Sequence, residues 1–247
     1  MTADIRVFPL EGIPEVEEGD DLAALLAAAA TRAGGLEDAD VVVVAQKVVS
    51  KSEGRIVSLD GVEPSARALE LAGDRDPRHV ETVLRESVRI VRSRPPLVIA
   101  ETRHGFVCAS AGVDASNARG EGTLVLLPLD PDASAARIRD GLRDRLGRDV
   151  GVIVSDSFGR PFRQGTTDVA LGVAGMTALL DLRGTRDAAG YELQATQIAV
   201  ADELAGAAEL VLGKTRGVPA AVVRGVDLRG EGSSRELVMP PERDLFR

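Results

Sequence analysis

Two short stretches place a carboxylate beside hydroxyl, amide and cationic groups. In Ala111-Gly112-Val113-Asp114-Ala115-Ser116-Asn117, an apolar strand runs into a turn carrying Asp114 and, three residues on, Asn117. In Val152-Ile153-Val154-Ser155-Asp156-Ser157-Phe158-Gly159-Arg160-Pro161, an apolar strand ends in Asp156 and Ser157, with Arg160, Arg163, Gln164 and Thr166-Thr167-Asp168 beyond. Aspartate is a hard oxygen ligand suited to Mg2+ or Mn2+. Asn117 offers both a donor and an acceptor. Guanidinium groups beside a carboxylate, Arg160 foremost, are what phosphoryl chemistry requires. Each stretch also has a plainer explanation. Asp114 and Asn117 could bond their own backbone in an Asx-type turn, and the second stretch could be a capped turn with solvated arginines.

Two further stretches carry cations without acids. Gln46-Lys47-Val48-Val49-Ser50-Lys51 follows a buried strand, where phosphate contacts are common; the ordinary alternative is a solvated edge. In Gly213-Lys214-Thr215-Arg216-Gly217-Val218-Pro219, glycines let backbone amides approach phosphate while Lys214 and Arg216 add charge. The spacing is not that of a Walker A loop. His79 and His104 are the only histidines, and neither lies near a second His or Cys in zinc-ligand spacing. Cys108 falls in an alternating strand and reads as core. No Gly-x-Ser-x-Gly elbow is present, which argues against a serine hydrolase.

The elements that must hold these groups alternate without a clean βαβ rhythm. Strands are predicted at Ile5 to Pro9, Val41 to Val44, Leu97 to Glu101, Phe106 to Ser110, Thr123 to Pro128, Val150 to Ser155, Leu210 to Leu212 and Ala220 to Arg224. Helices are predicted after an Asp20 or Asp21 N-cap, from Pro64 to Ala72, from Ser134 to Leu146 and from Glu192 to Ala208. Another is predicted to open at Asp76-Pro77, with Val80, Val83, Leu84, Val88 and Val91 on one face, and to end at Pro95-Pro96. Residues Asp156 to Thr167 read as a polar, glycine-punctuated loop. The expected class is α+β, with mixed sheets, helices and two interwoven subdomains, the inner one spanning about residues 95–190.

Composition narrows the partners. The chain has 247 residues, enough for one large domain or two interwoven ones. Aromatics are only 2%, which argues against stacking platforms for single-stranded nucleic acid. A net charge of -9 disfavours any polyanion partner. An anionic small ligand would therefore need local cations or metal. One cysteine rules out a disulfide framework within the chain. No apolar stretch is long enough to span a bilayer, and no basic-then-apolar leader opens the sequence. The expected location is the cytoplasm.

In order and spacing, these stretches, together with the opening Glu11-Gly12-Ile13-Pro14, resemble the coenzyme F420-0:L-glutamate ligases, the gamma-glutamyl ligase family of deazaflavin biosynthesis. Any one motif is modest; their order is specific, and the likeness covers nearly the whole chain. The resemblance implies a single ligase domain over residues 1–247 that adds L-glutamate to F420-0, often with a second gamma-linked glutamate. It implies GTP as co-substrate, an acyl-phosphate intermediate, two Mn2+ or Mg2+ ions, K+ and a homodimer. By motif position, GTP would be contacted by Gly12, Ile13, Pro14, Glu15, Gln46, Lys47, Lys51 and Asn117, and by Leu212, Gly213, Lys214, Thr215, Arg216, Gly217, Val218 and Pro219. Asp114 and Asp156 would hold one metal. Ser157 stands where a hydroxyl residue, commonly Thr, helps hold a second. Lys214 departs from the pattern, because family members often carry an acidic or amide metal ligand there. Two other readings stay open: a metal-dependent amide ligase or phosphotransferase with another acceptor, and a nucleotide-binding regulator without catalysis.

Overall fold

The valine run is the spine of the molecule. In a computed structural model, which describes residues 4–116, 118 and 120–245, every valine from Val41 to Val44 is buried. Successive side chains of a strand point to opposite faces, so a strand buried on both sides must be apolar throughout.

Along the chain the elements are β1 (Arg6–Pro9), α1 (Leu22–Arg32), β2 (Val41–Ala45), α2 (Gln46–Ser52), β3 (Ile56–Ser58), α3 (Ala66–Ala72), α4 (Pro77–Arg85), β4 (Ser87–Arg94), β5 (Leu97–Thr102), β6 (Val107–Ala109) and β7 (Thr123–Val125). There follow α5 (Pro131–Leu146), β8 (Gly151–Arg160), β9 (Arg163–Ala174), β10 (Leu180–Asp181), β11 (Gln197–Ile198), α6 (Val200–Leu212) and β12 (Ala220–Arg224). The main sheet has the order β1-β12-β2-β8-β9. Only β2 and β8 run parallel in it; the other pairs are antiparallel. On one face Val42, Val44, Val152 and Val154 pack with Leu26 of α1 and Ile138 and Leu142 of α5. On the other, Val41, Val43 and Ile153 pack with Ala201, Leu204 and Ala208 of α6.

The chain between β2 and β8 builds a second core. Leu71 and Val80 of α3 and α4 pack there against Val98, Ala100, Leu124 and Leu126. Its sheets are β4-β5-β6 and the pair β3-β7. The expected α+β architecture of mixed sheets and interwoven halves is found.

Four predicted elements differ; in one of them, the helix expected from Glu192 begins only at Val200, after the short strand β11. The helix opened by Asp76 ends at Arg85, and residues Ser87–Arg94 form β4, paired antiparallel with β5. Val88, Ile90 and Val91 fit helical spacing, but they are β-branched and meet a partner strand, which outweighs periodicity. Pro95-Pro96 forms the β4–β5 turn, not a helix end. The supposed loop Asp156 to Thr167 is the outer half of a hairpin, paired from Asp156↔Val169 to Arg160↔Arg163. From Gly159 to Thr166 it is exposed, so no apolar alternation marks it. Leu210 to Leu212 is the last turn of α6, not a strand. Such a short apolar run does not distinguish the two periodicities.

Candidate active site

Because β2 and β8 are parallel neighbours paired as far as Ala45 opposite Ser155, the residues just beyond that pair lie side by side. Gln46 and Lys47 follow the end of β2 while Asp156 continues along β8, so residues distant in sequence meet at one edge. Asp114 arrives from the second core. Its backbone bridges Val125 through bonds of 3.0 and 2.8 Å. The turn before it is left-handed: Ser110, Ala111 and Gly112 have φ of 53, 51 and 72°. Two of these are not glycine, so the turn is strained. A Cβ on Gly112 would lie 2.6 Å from the Leu127 side chain.

Asp114 is engaged on both oxygens. Lys47 Nζ lies 2.7 Å from Oδ2, and the Ser116 backbone N–H donates to Oδ1 at 2.7 Å. The Asx turn is therefore real, and it coexists with the ion pair. Burial pushes the Asp114 carboxyl up, but the Lys47 ammonium and the Ser116 donors outweigh it and hold the group below its ordinary value. Asp156 goes the other way. Burial pushes it up to about 7, the Ser157 N–H and Lys47 pull it down, and the charges of Asp168 and Asp114 push it up again. Asp168 is buried and takes two hydroxyl bonds, from Ser155 Oγ at 2.9 Å and Ser157 Oγ at 2.6 Å. Its backbone N–H donates to Glu209 at 3.2 Å.

Two cavities meet at this edge. An inner one of about 450 Å3 is lined by Lys47, Lys51, Asp168, Glu209 and the loop after α6, among others. An outer one of about 470 Å3 is lined by Arg75, His79, Ser110 and Asp114, among others. Asp156, Ser157 and Lys214 line both. In the inner cavity Gln46 is buried, its Oε1 accepting from Ser50 Oγ at 2.8 Å, while its Nε2 has no partner among the described residues. A buried donor left without an acceptor is costly and marks a place for a ligand oxygen.

Comparison with known proteins gives this edge a lineage. A model of the F420-0:Gamma-glutamyl ligase family matches residues 12–225. The chain belongs to the F420-0:gamma-glutamyl ligase family. Curated proteins named "Coenzyme F420:L-glutamate ligase" are similar over nearly their whole length. That of Methanothermobacter thermautotrophicus is 46% identical, the match covering 98% of this chain and 99% of the relative. That of Methanopyrus kandleri is 47% identical, covering 98% of each. That of Archaeoglobus fulgidus is 43% identical, covering 98% and 96%.

Of the positions that the ligase family's motifs single out, most come together. Ile13, Pro14, Glu15, Gln46, Lys47, Lys51, Leu212, Gly213, Lys214, Thr215, Gly217, Val218 and Pro219 line the inner cavity. Lys51 is buried and paired with Glu15, so it is not a solvated edge lysine. Gly12 lines a separate groove, where Arg32 donates to its carbonyl at 3.0 Å. Arg216 packs its side chain over Gly213. Arg160 is exposed near the hairpin tip and donates to the Gln164 carbonyl at 3.2 Å. Asn117 lies outside the described residues.

Sequence reasoning did not assign Asp168, Glu209, Arg75, His79 or Ser110 a place here. Asp168 was visible only as the end of a polar run; nothing in the sequence pairs it with Ser155 and Ser157 until the hairpin is known. Cys108 lines the outer cavity, but burial and the Asp156 charge push its thiol up to about 12, so it is no nucleophile. Among the described residues no three His, Cys, Asp or Glu side chains form a ready metal cluster. The donor set nonetheless fits a divalent ion: Asp156 is half-buried with no cation bonded to it among the described residues, and Asp114 and the Ser157 hydroxyl line the same cavity. Mg2+ in particular is commonly held by one or two carboxylates, with substrate phosphates and water completing its shell.

Proposed function

We propose that this protein is a GTP-dependent ligase that joins L-glutamate to coenzyme F420-0 and adds further gamma-linked glutamate. The observation that carries the reading is the shared wall of Asp156, Ser157 and Lys214 between two cavities. A nucleotide on one side and an acceptor on the other would meet there. Family membership and relatives named for the reaction support the same substrates.

A carboxylate does not condense with an amine unaided. In this reading the acceptor carboxylate attacks the γ-phosphorus of GTP. The bond to the bridging oxygen breaks, GDP leaves, and an acyl phosphate remains. The glutamate amine then attacks the acyl carbon. An amide forms, phosphate departs with the electron pair of the broken C–O bond, and the amine's proton is released.

The obstacle is bringing an anion to a polyanion within a chain of net charge -9. Lys47, Lys51 and Lys214 would bind and orient the triphosphate, with Gln46 Nε2 donating to one of its oxygens. Well-placed donors of this kind are worth about ten- to a thousandfold each. Asp114 and Asp156 would hold one Mn2+ or Mg2+ and Ser157 would help hold a second, a charge neutralisation on the order of several kcal/mol. K+ dependence and a homodimer belong to the same reading. Lys214 would supply charge at the phosphates where relatives carry a ligand atom.

The test is incubation with F420-0, L-glutamate, GTP and Mn2+, followed by mass spectrometry, with ATP in parallel. Glutamyl additions that need GTP and metal are expected. GTP binding without product would point to another acceptor, and neither would reject the reading.

A further inference from the structure

The outer cavity contains two groups that the reaction as written leaves unused. Arg75, in the link between α3 and α4, makes no ion pair among the described residues; its guanidinium donates to Ser110 Oγ at 3.1 Å. His79, in the first turn of α4, has a buried Nε2 without a partner among the described residues. Both line the cavity on the side of the second core. An arginine held in a half-buried wall with most of its donors uncommitted is a receptor for a planar anion. Of the two acids lining this cavity, Asp114 is taken by Lys47 and Ser116, and Asp156 is not bonded to Arg75 among the described residues.

The strained turn strengthens the case. Ser110 is held at positive φ in the left-handed turn, and its hydroxyl orients Arg75. Strain of this sort persists where the surrounding structure enforces a geometry. His79 is pushed towards its neutral form by burial and then by the Arg75 charge, so its Nε2–H can donate without adding a second positive charge to be desolvated.

Resting on the ligase reading above, we propose that Arg75 and His79 form a subsite for a carboxylate of the incoming amino acid. The reacting carboxylate of the acceptor must lie at the shared wall, beside the phosphate it attacks. Arg75 and His79 line the outer cavity alone, so they suit an anion that is bound but not transformed. An amino acid brings such a group with its amine. Fixing it would aim the amine towards the shared wall and set a preference for acidic over neutral amino acids.

The experiment measures KM for glutamate, F420-0 and GTP separately, in the wild type, Arg75→Gln, His79→Leu and His79→Gln. Thermal unfolding and GTP binding report whether each variant keeps its fold and inner cavity. KM for glutamate is expected to rise about ten- to a hundredfold in Arg75→Gln, with KM for F420-0 and GTP within about twofold. His79→Gln, which retains a donor nitrogen, is expected to lose less than His79→Leu. A rise in KM for F420-0 instead of glutamate would overturn the assignment, as would unchanged KM for glutamate in Arg75→Gln and His79→Leu. Absence of ligase product in the wild type would reject the underlying reading, and the subsite with it.

Discussion

Lys47 Nζ reaches Asp114 Oδ2 at 2.7 Å, joining the carboxyl edge of the main sheet to the turn of the second core. In the proposed reaction a divalent ion on Asp114 would compete with this ammonium for the carboxylate, and nucleotide phosphates would offer the lysine another partner.

Lys47→Met is expected to move two affinities in opposite directions. Without nucleotide, Mn2+ should bind several-fold more tightly, a modest gain because Asp114 is partly exposed. GTP should bind at least about tenfold more weakly. Titration of free Mn2+ by electron paramagnetic resonance and calorimetry of GTP check the pair. Weaker Mn2+ binding in the variant would remove the competition.

Asp156 makes the metal-free protein sensitive to pH. Its folded pKa of about 7 lies above the ordinary 3.8. Between these values the folded state binds more protons than the unfolded chain, so this group's contribution to stability falls as pH rises and is lost above about pH 7. With chelator present, Asp156→Asn should be more stable than wild type at pH about 8.5, by on the order of a few kcal/mol, and the gap should shrink towards pH about 5. Urea denaturation at both values measures it. Mn2+ should stabilise the wild type more than the variant at the higher pH.

Gln46→Glu keeps an acceptor for Ser50 Oγ but replaces the unpartnered donor with an oxygen. GTP affinity should fall about ten- to a hundredfold. Equal binding of GTP by both proteins would show that Nε2 faces no phosphate or base oxygen.

Gly112→Ala should cost about 1–3 kcal/mol of unfolding free energy and reduce activity further by displacing Asp114. Gly122→Ala is the control: it shares the sign of φ, at 73°, but nothing lies within 4 Å of the added carbon. It should lose less in denaturation, and a loss equal to that of Gly112→Ala would leave Leu127 without the role given to it.

Much of the main sheet could be read in advance because Val41 to Val44 and Val152 to Val154 are apolar on both faces, a pattern that leaves few alternatives. Gln46, Lys47 and Lys51 of the inner cavity directly follow β2, and the loop with Gly213 and Gly217 leads into β12. The outer hairpin could not be read, because exposed residues need only backbone pairing. The expectation of helix over β4 fails because Val88 and Val91 keep the three-residue spacing of the helix before them; both fall at register shifts against β5, so no alternation marks the strand. Asp168 and Arg75 escape sequence reasoning for one reason: each meets its partners only after the chain has folded back, Asp168 across a hairpin and Arg75 at the turn after β6.

The second core leaves the main sheet after β2 and returns before β8, two strands that lie side by side. Every described residue lining the inner cavity comes from outside the stretch between α2 and β8, whereas Arg75, His79 and the turn from Cys108 to Ala115 belong to it. In the proposed reaction the supply of phosphoryl groups and the choice of what receives them are thus written on separate stretches of chain. Selection could revise the insertion, and with it substrate preference, while the nucleotide half stayed as it was.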